Sequence, residues 1–199
     1  MCTQEINPEN SLKITLTGQL YSGKSTLSKK LAEHYNLKKY SVGAIQREKA
    51  EKAGMTILEY TKFVKENNLD SIIDSQTSAI GQQETNFVFD ARLAWHFIPD
   101  SIKVYLKVDL DTASKRALLD TSRGSAETYK FEDQAKTDIL KRQNRERETY
   151  KELYGIDKAD ESNYDIVIDT SNITPEETFN KIVEYIELKK KLKNVAIFN

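Results

Sequence analysis

One cysteine, Cys2, stands in a chain of 199 residues, so no internal disulfide can form, and a reducing compartment is expected. The two histidines, His34 and His96, lie far apart without ligand spacing, which leaves no Cys/His framework for a metal. No apolar stretch approaches the roughly 20 residues that span a bilayer, and residues 1–10 carry no apolar signal core, so a cytoplasmic protein with no membrane partner is expected. Charge is balanced as well, with 30 basic against 31 acidic residues and a net charge of −1. That balance argues against a dedicated binder of nucleic acid, and it makes any anion site a local one. A monomer or weak homo-oligomer is expected.

What the chain does have is Gly18-Gln19-Leu20-Tyr21-Ser22-Gly23-Lys24-Ser25, the pattern G-x-x-x-x-G-K-S of a phosphate-binding loop. The pattern is informative only between a strand and a helix, because the helix N-terminus supplies the amides and the field that hold phosphate. Upstream, Leu12, Ile14 and Leu16 alternate with Lys13, Thr15 and Thr17, which predicts a strand ending two residues before Gly18. Downstream, Leu27, Leu31 and Tyr35 recur every four residues, which predicts a helix beginning near Lys24 with Lys29, Lys30 and Glu33 facing solvent. In such a loop the two glycines turn the amides inward, Lys24 reaches the β- and γ-phosphates, and the Ser25 hydroxyl ligates magnesium. Gln19, Leu20 and Tyr21 are bulky for its interior, and their side chains are expected to point outward.

Further strands are predicted at Lys38–Val42, Asn86–Asp90, Ile102–Val108 and Asp165–Asp169, with helical segments between nearly all of them. Alternation of this kind implies a parallel five-stranded sheet with helices on both faces, an α/β three-layer fold. Its ligand crevice lies outside the carboxyl ends of the strands, where the phosphate loop, Ser41 and Asp90 map together. A long polar helical region near 45–82 is the first insertion candidate. The arginine- and lysine-rich stretch from Asp111 to Tyr154 is the second; it reads either as a solvated helix face or as a lid closing over phosphates. Arg142 and Arg145 are three apart on one helix face, and Arg123 precedes Gly124 and Ser125, a hinge candidate. Near the end, Thr174, Pro175 and Glu177 spell a helix start as N-cap, first helical residue and N3. The lysines from Lys189 to Lys193 read as charge at that helix's C-terminal end.

A GTPase needs D-x-x-G after the third strand and an N-K-x-D reader of guanine, whereas Asp90 is followed by Ala91, Arg92 and Leu93. An arginine two residues beyond the strand-end acid is suited instead to gripping a second phosphorylated substrate, since guanidinium pairs bidentately with phosphate.

Taken together, Gly18 to Ser25, Ser41 to Arg47, Asp90 to Leu93, Tyr150 to Asp157 and Tyr164 to Ser171 resemble cytidylate kinase, in its shorter, archaeal-type branch. The resemblance covers nearly the whole chain after the first ten residues, and the segment Arg142…Glu146…Tyr150…Tyr154-Gly155-Ile156-Asp157 is more specific than the phosphate loop. It implies transfer of the ATP γ-phosphoryl group to CMP or dCMP, with ATP and Mg2+ as cofactors and a small nucleotide as acceptor. It also implies a single kinase domain, with a core near 11–40, 83–115 and 155–199, a monophosphate-binding insertion near 41–82 and a lid near 116–150. By position, Gly18 to Ser25, Thr26 and Arg116 fall to ATP, and Ser25 and Asp90 to the metal. Ser41, Gly43, Arg47, Asp90, Arg92 and Arg145 fall to the acceptor, and Lys24, Arg123 and Arg142 to catalysis, with Arg116 also counted among the lid arginines. Ala91 stands where the family usually has glycine, Ala44 where an acid is common, and Leu119 and Thr149 where lid arginines are common. Two other readings stay open: a kinase of another nucleotide or small metabolite, and a nucleotide-binding protein without catalysis.

Overall fold

Five short runs rich in β-branched and aromatic residues form strands: β1 (Lys13–Gly18), β2 (Lys38–Ser41), β3 (Phe87–Asp90), β4 (Ile102–Lys107) and β5 (Ile166–Asp169). The computed structural model of the chain describes residues 11–55, 57–67, 70–120 and 129–197. Every strand pair is parallel, in the order β2-β3-β1-β4-β5. Parallel neighbours need crossovers, and helices supply them. They are α1 (Lys24–Tyr35), α2 (Val42–Lys52), α3 (Ile57–Glu66), α4 (Asp70–Gln83), α5 (Ala94–Phe97), α6 (Leu110–Leu119) and α7 (Glu132–Tyr154), followed by α8 (Pro175–Ile197) after the last strand. Among the described residues no helix is long and apolar enough to cross a membrane.

The pleat sends alternate residues to opposite faces, and both faces are covered. Ile14, Leu16, Val88, Val104 and Leu106 pack with Leu27 and Leu31 of α1 and with Ile182 and Ile186 of α8. Phe87 and Phe89, one residue out of step with Val88, pack on the other face with Ala94, Ile98 and Ile80. The threonines of β1 therefore do not face solvent despite their alternation: Thr15 and Thr17 are both buried. Each is satisfied, Thr15 Oγ1 lying 2.9 Å from Ser101 Oγ and Thr17 Oγ1 donating to Ala91 O at 3.0 Å.

β1 runs two residues further than its apolar alternation predicts. Thr17 and Gly18 stay in register with Tyr105 and Leu106 of the neighbouring strand, and the missing Cβ is what lets Gly18 do so. Val42, expected at the end of β2, opens α2 instead. The polar region after it is three helices with a small apolar centre of its own, Ala50, Tyr60 and Val64. At the far end, Glu177 N donates to Thr174 Oγ1 at 3.1 Å while Thr174 N donates to Glu177 Oε2 at 2.7 Å, the reciprocal cap that the spacing predicts.

Candidate active site

β1 carries the chain to the carboxyl edge of the sheet, where Gly18 must turn it against β4. A Cβ on Gly18 would stand 2.3 Å from the Leu106 carbonyl oxygen, and its φ is +153°. The next residue fastens the loop twice, since Gln19 N donates to Leu106 O at 2.9 Å and Gln19 Oε1 accepts from Val108 N at 2.6 Å. Leu20 and Tyr21 turn into an apolar cluster with Val108, Ala113 and Ala117 near α6 and with Ala135 and Ile139 of α7. Their bulk is thus used for packing, and it holds Tyr21 in a left-handed backbone conformation (φ 61°) that a non-glycine residue seldom adopts. Gly23, at φ +90°, leads into α1 with no side-chain cap, so no capping side chain competes with an anion for the start of the helix.

Lys24 folds back over this loop, its Nζ donating to Gly18 O at 3.1 Å, Gln19 O at 2.5 Å and Ser22 Oγ at 3.4 Å. Ser25 Oγ donates to Asp90 Oδ2 at 3.4 Å, and Thr26 beside it is exposed. Asp90 is in register with Leu16 on one side and Ser41 on the other, so β2 and β3 end level while β1 runs on two residues to Gly18. The oxygens of Ser25 and Asp90 are hard donors. Among the described residues no group of three or more His, Cys, Asp or Glu side chains could hold a metal ion. Such a donor set fits Mg2+, which keeps waters and takes oxygens from substrate phosphate rather than from an all-protein cage.

Arg116 reaches from α6 to the back of the loop. Its Nη1 donates to Tyr21 O and Thr170 Oγ1, each at 3.2 Å, and its Nη2 to Thr170 O at 2.6 Å. Thr170 Oγ1 also lies 3.2 Å from Ser22 O and 2.9 Å from Lys107 O.

Beyond Asp90 the charges organise around one carboxylate. Glu146, on α7 with its side chain only 12% exposed, pairs with Arg92 at 2.9 Å, Lys158 at 2.5 Å and Arg142 at 3.4 Å. Burial on its own raises the Glu146 carboxyl pKa, but the charges of Arg92, Lys158 and Arg142 overcome that and hold it at about 2. Burial pushes the Lys158 ammonium down, and the Arg92 and Arg142 charges add to that push against the pull of Glu146. Tyr150, one turn after Glu146, hydrogen-bonds Arg92 and has its phenol pKa raised, burial first, since a phenolate is costly there.

A cleft opens at this edge, between the start of α2 (Val42, Gly43, Gln46), α4 (Asp74, Thr77) and the aromatic C-terminal end of α7 (Tyr150, Tyr154). Arg92 and Ala91 form its floor at the end of β3. Across it, the Tyr154 hydroxyl donates to Asp74 Oδ2.

The sequence-derived site residues therefore fall into groups. Gly18 to Ser25 and Asp90 form one constellation with Arg116 behind it, while Gly43 and Arg92 line the cleft and Ser41 ends the strand beside Asp90. Arg142 joins Arg92 through Glu146, whereas Arg145 is exposed on α7 and stands outside this network. Arg47 lies on α2 with its side chain outside the described residues, and Arg123 lies outside them altogether. Glu146, Lys158, Asp74 and Thr170 were given no role by the sequence. Only Glu146 left a local trace, its spacing of four residues from Arg142 on one helix.

Residues 13–172 match the Cytidylate kinase-like family. The chain is 34% identical over 182 residues to a cytidylate kinase of Methanopyrus kandleri, a match covering 85% of this chain and 90% of that protein. It is also 34% identical over 189 residues to an S-adenosylmethionine-dependent nucleotide dehydratase of Lacinutrix mariniflava, where the match covers 94% of this chain but only 38% of that longer protein. Among solved structures, shikimate kinase from Bacteroides thetaiotaomicron superposes with a TM-score of 0.64 over 88% of this chain and 98% of that one, at 18% identity, a likeness of fold.

Proposed function

We propose, for a chain that belongs to the cytidylate kinase-like family, that it transfers the γ-phosphoryl group of ATP to CMP or dCMP, giving CDP or dCDP and ADP. The observation that carries this reading is the pairing of two anion sites on one sheet edge. Lys24 and the Ser25–Asp90 pair lie at the phosphate loop, and Arg92 lies two residues beyond Asp90 in a cleft walled by Tyr150 and Tyr154. The first suits a triphosphate and the second a phosphorylated acceptor with a flat ring. Both sequence relatives bear names that concern nucleotides, which favours a nucleotide acceptor.

In this reaction an acceptor phosphate oxygen forms a bond to the γ-phosphorus while the bond from that phosphorus to the β–γ bridging oxygen breaks. No protein nucleophile is needed, and the requirements are alignment and charge neutralisation. Loop amides and the N-terminus of α1 hold the ATP phosphates, and Lys24 exchanges its loop carbonyls for the β- and γ-oxygens. Ser25 and Asp90 would hold Mg2+, which when bound would neutralise phosphate charge. Arg92, with Arg47, takes the acceptor phosphate, with Ser41 and Gly43 beside it, and Arg142 with Arg123 covers the transferring group; Arg145, exposed on α7, would join Arg92 only by swinging in toward that phosphate. Arg116 fixes the loop from behind and serves ATP binding through it. Exclusion of water by a closed lid keeps ATP from being hydrolysed instead.

The test is magnesium-dependent ADP formation from ATP across CMP, dCMP, UMP, AMP, GMP, shikimate and no acceptor. Selective turnover of CMP or dCMP is expected. Selectivity for another acceptor would replace the substrate, and ATP binding without acceptor-dependent ADP would replace catalysis by binding.

A further inference from the structure

The cleft beside Arg92 has a polar and an aromatic side, and their arrangement says more than that a nucleotide fits. Tyr150 and Tyr154 lie one turn apart on α7 with rings near parallel, at 26° and 6.5 Å between centroids, and Phe97 meets Tyr154 edge-on at 5.7 Å. Flat aromatic faces of this kind stack a nucleobase with little regard to its identity. Identity has to come from hydrogen bonding at the base edge. Across the cleft from α7 stands Asp74, a half-buried carboxylate in a lining that is otherwise largely apolar or aromatic, with Gln46 and Thr77 nearby.

We propose that Asp74 is the specificity-determining residue for the acceptor base, accepting a hydrogen bond from an exocyclic amino group and so selecting cytosine over uracil. This assignment rests on the acceptor reading proposed above and adds the group that reads the base. An ionised carboxylate only accepts, and its two oxygens offer about four lone-pair sites. The Tyr154 hydroxyl takes one of these at Oδ2 and fixes the carboxylate across the cleft without exhausting it. Cytosine presents a 4-amino donor where uracil presents a carbonyl oxygen, and an oxygen set against the carboxylate leaves both without a proton to share. Arg92 and Asp74 line the same cleft, and Tyr150, which hydrogen-bonds Arg92, also feels the Asp74 charge. Phosphate at the arginine and base at the acid thus become two ends of one bound nucleotide. Thr77, buried with its hydroxyl donating to Ile73 O at 2.9 Å, has no proton left to offer a carbonyl at the base edge and so gives uracil no compensating donor.

Two measurements test this, one on the protein and one on the substrate. With Asp74→Asn, kcat/KM for CMP is expected to fall about 10- to 100-fold, mainly through KM, as a charge-assisted acceptor is replaced by a neutral oxygen or by an NH2 that opposes the 4-amino group. UMP should change far less, so the CMP-to-UMP ratio collapses. With the unaltered protein, the 2-pyrimidinone ribonucleotide, which carries hydrogen in place of the 4-amino group, is expected to lose a similar factor relative to CMP. The substrate arm stands even if the variant folds poorly. Unchanged preference in Asp74→Asn, or 2-pyrimidinone turnover equal to that of CMP, overturns the Asp74 assignment while leaving CMP phosphorylation intact. Absence of any monophosphate turnover by the unaltered protein overturns both.

Discussion

Ser25 Oγ and Asp90 Oδ2 meet at 3.4 Å, joining the first turn of α1 to the last residue of β3 across 65 residues of sequence. Two oxygens of different acidity are thereby presented at one point beside the Lys24 ammonium. On the proposed chemistry, Ser25→Ala and Asp90→Asn should each reduce kcat by about 10²-fold or more. They should also raise the Mg2+ concentration needed for half-maximal turnover, which a magnesium titration at saturating ATP reads directly. A variant with an unchanged magnesium requirement would remove that residue from the metal site.

Lys24 Nζ donates to the carbonyls of Gly18 and Gln19, which holds its charge against the phosphate loop. Lys24→Ala is expected to lose about 10²- to 10³-fold in turnover, the usual scale for deleting one preorganised charged donor. Steady-state kinetics decide it, and retention of more than about a tenth of the activity would refute its role.

Removing the shared anion among Arg92, Arg142 and Lys158 leaves three cations facing a neutral group. Glu146→Gln is therefore expected to cost about 3–5 kcal/mol, seen as a fall of roughly 10 °C in Tm. The pH dependence follows from the sign of the shift. The Glu146 carboxyl sits at about 2 in the fold against an ordinary 4.5, so its contribution is full above about pH 4.5 and is lost as pH falls toward 2. The stability difference between the unaltered protein and Glu146→Gln should shrink across that window in acid denaturation, and a difference constant with pH would contradict the ion-pair account.

At Gly18 an added methyl meets the Leu106 carbonyl at 2.3 Å, and the backbone sits at a positive φ besides. Gly18→Ala should cost roughly 2–4 kcal/mol in urea unfolding and weaken ATP binding together, because the loop can make room only by leaving β4. A stable variant that binds ATP normally would show the contact to be slack.

Much of this architecture can be read along the chain. The alternation before Gly18, the four-residue stripe after it and the Thr174–Glu177 cap are local patterns, and each produces the local element it should. What escapes is whatever depends on residues distant in sequence. Thr15 and Thr17 look like the solvent side of a strand, but the pairing of β1 between β3 and β4 and the helices on both faces bury them. Leu20 and Tyr21 look like awkward occupants of a phosphate loop until α6 and α7 arrive to receive them. The spacing of Glu146 from Arg142 is local, but nothing local tells that Arg92 and Lys158 converge on the same carboxylate, nor links Asp74 to Tyr154, 80 positions away.

Thr170 has no role of its own that the sequence declares, yet its side chain and carbonyl take the guanidinium of Arg116, and its hydroxyl lies beside Ser22 of the phosphate loop. The last strand of the sheet is thus a mechanical abutment for the nucleotide site at the opposite end of the sequence. Damage to β5, by truncation or by a charge placed on its inner face, should read out as a softened phosphate loop before it reads out as a lost sheet.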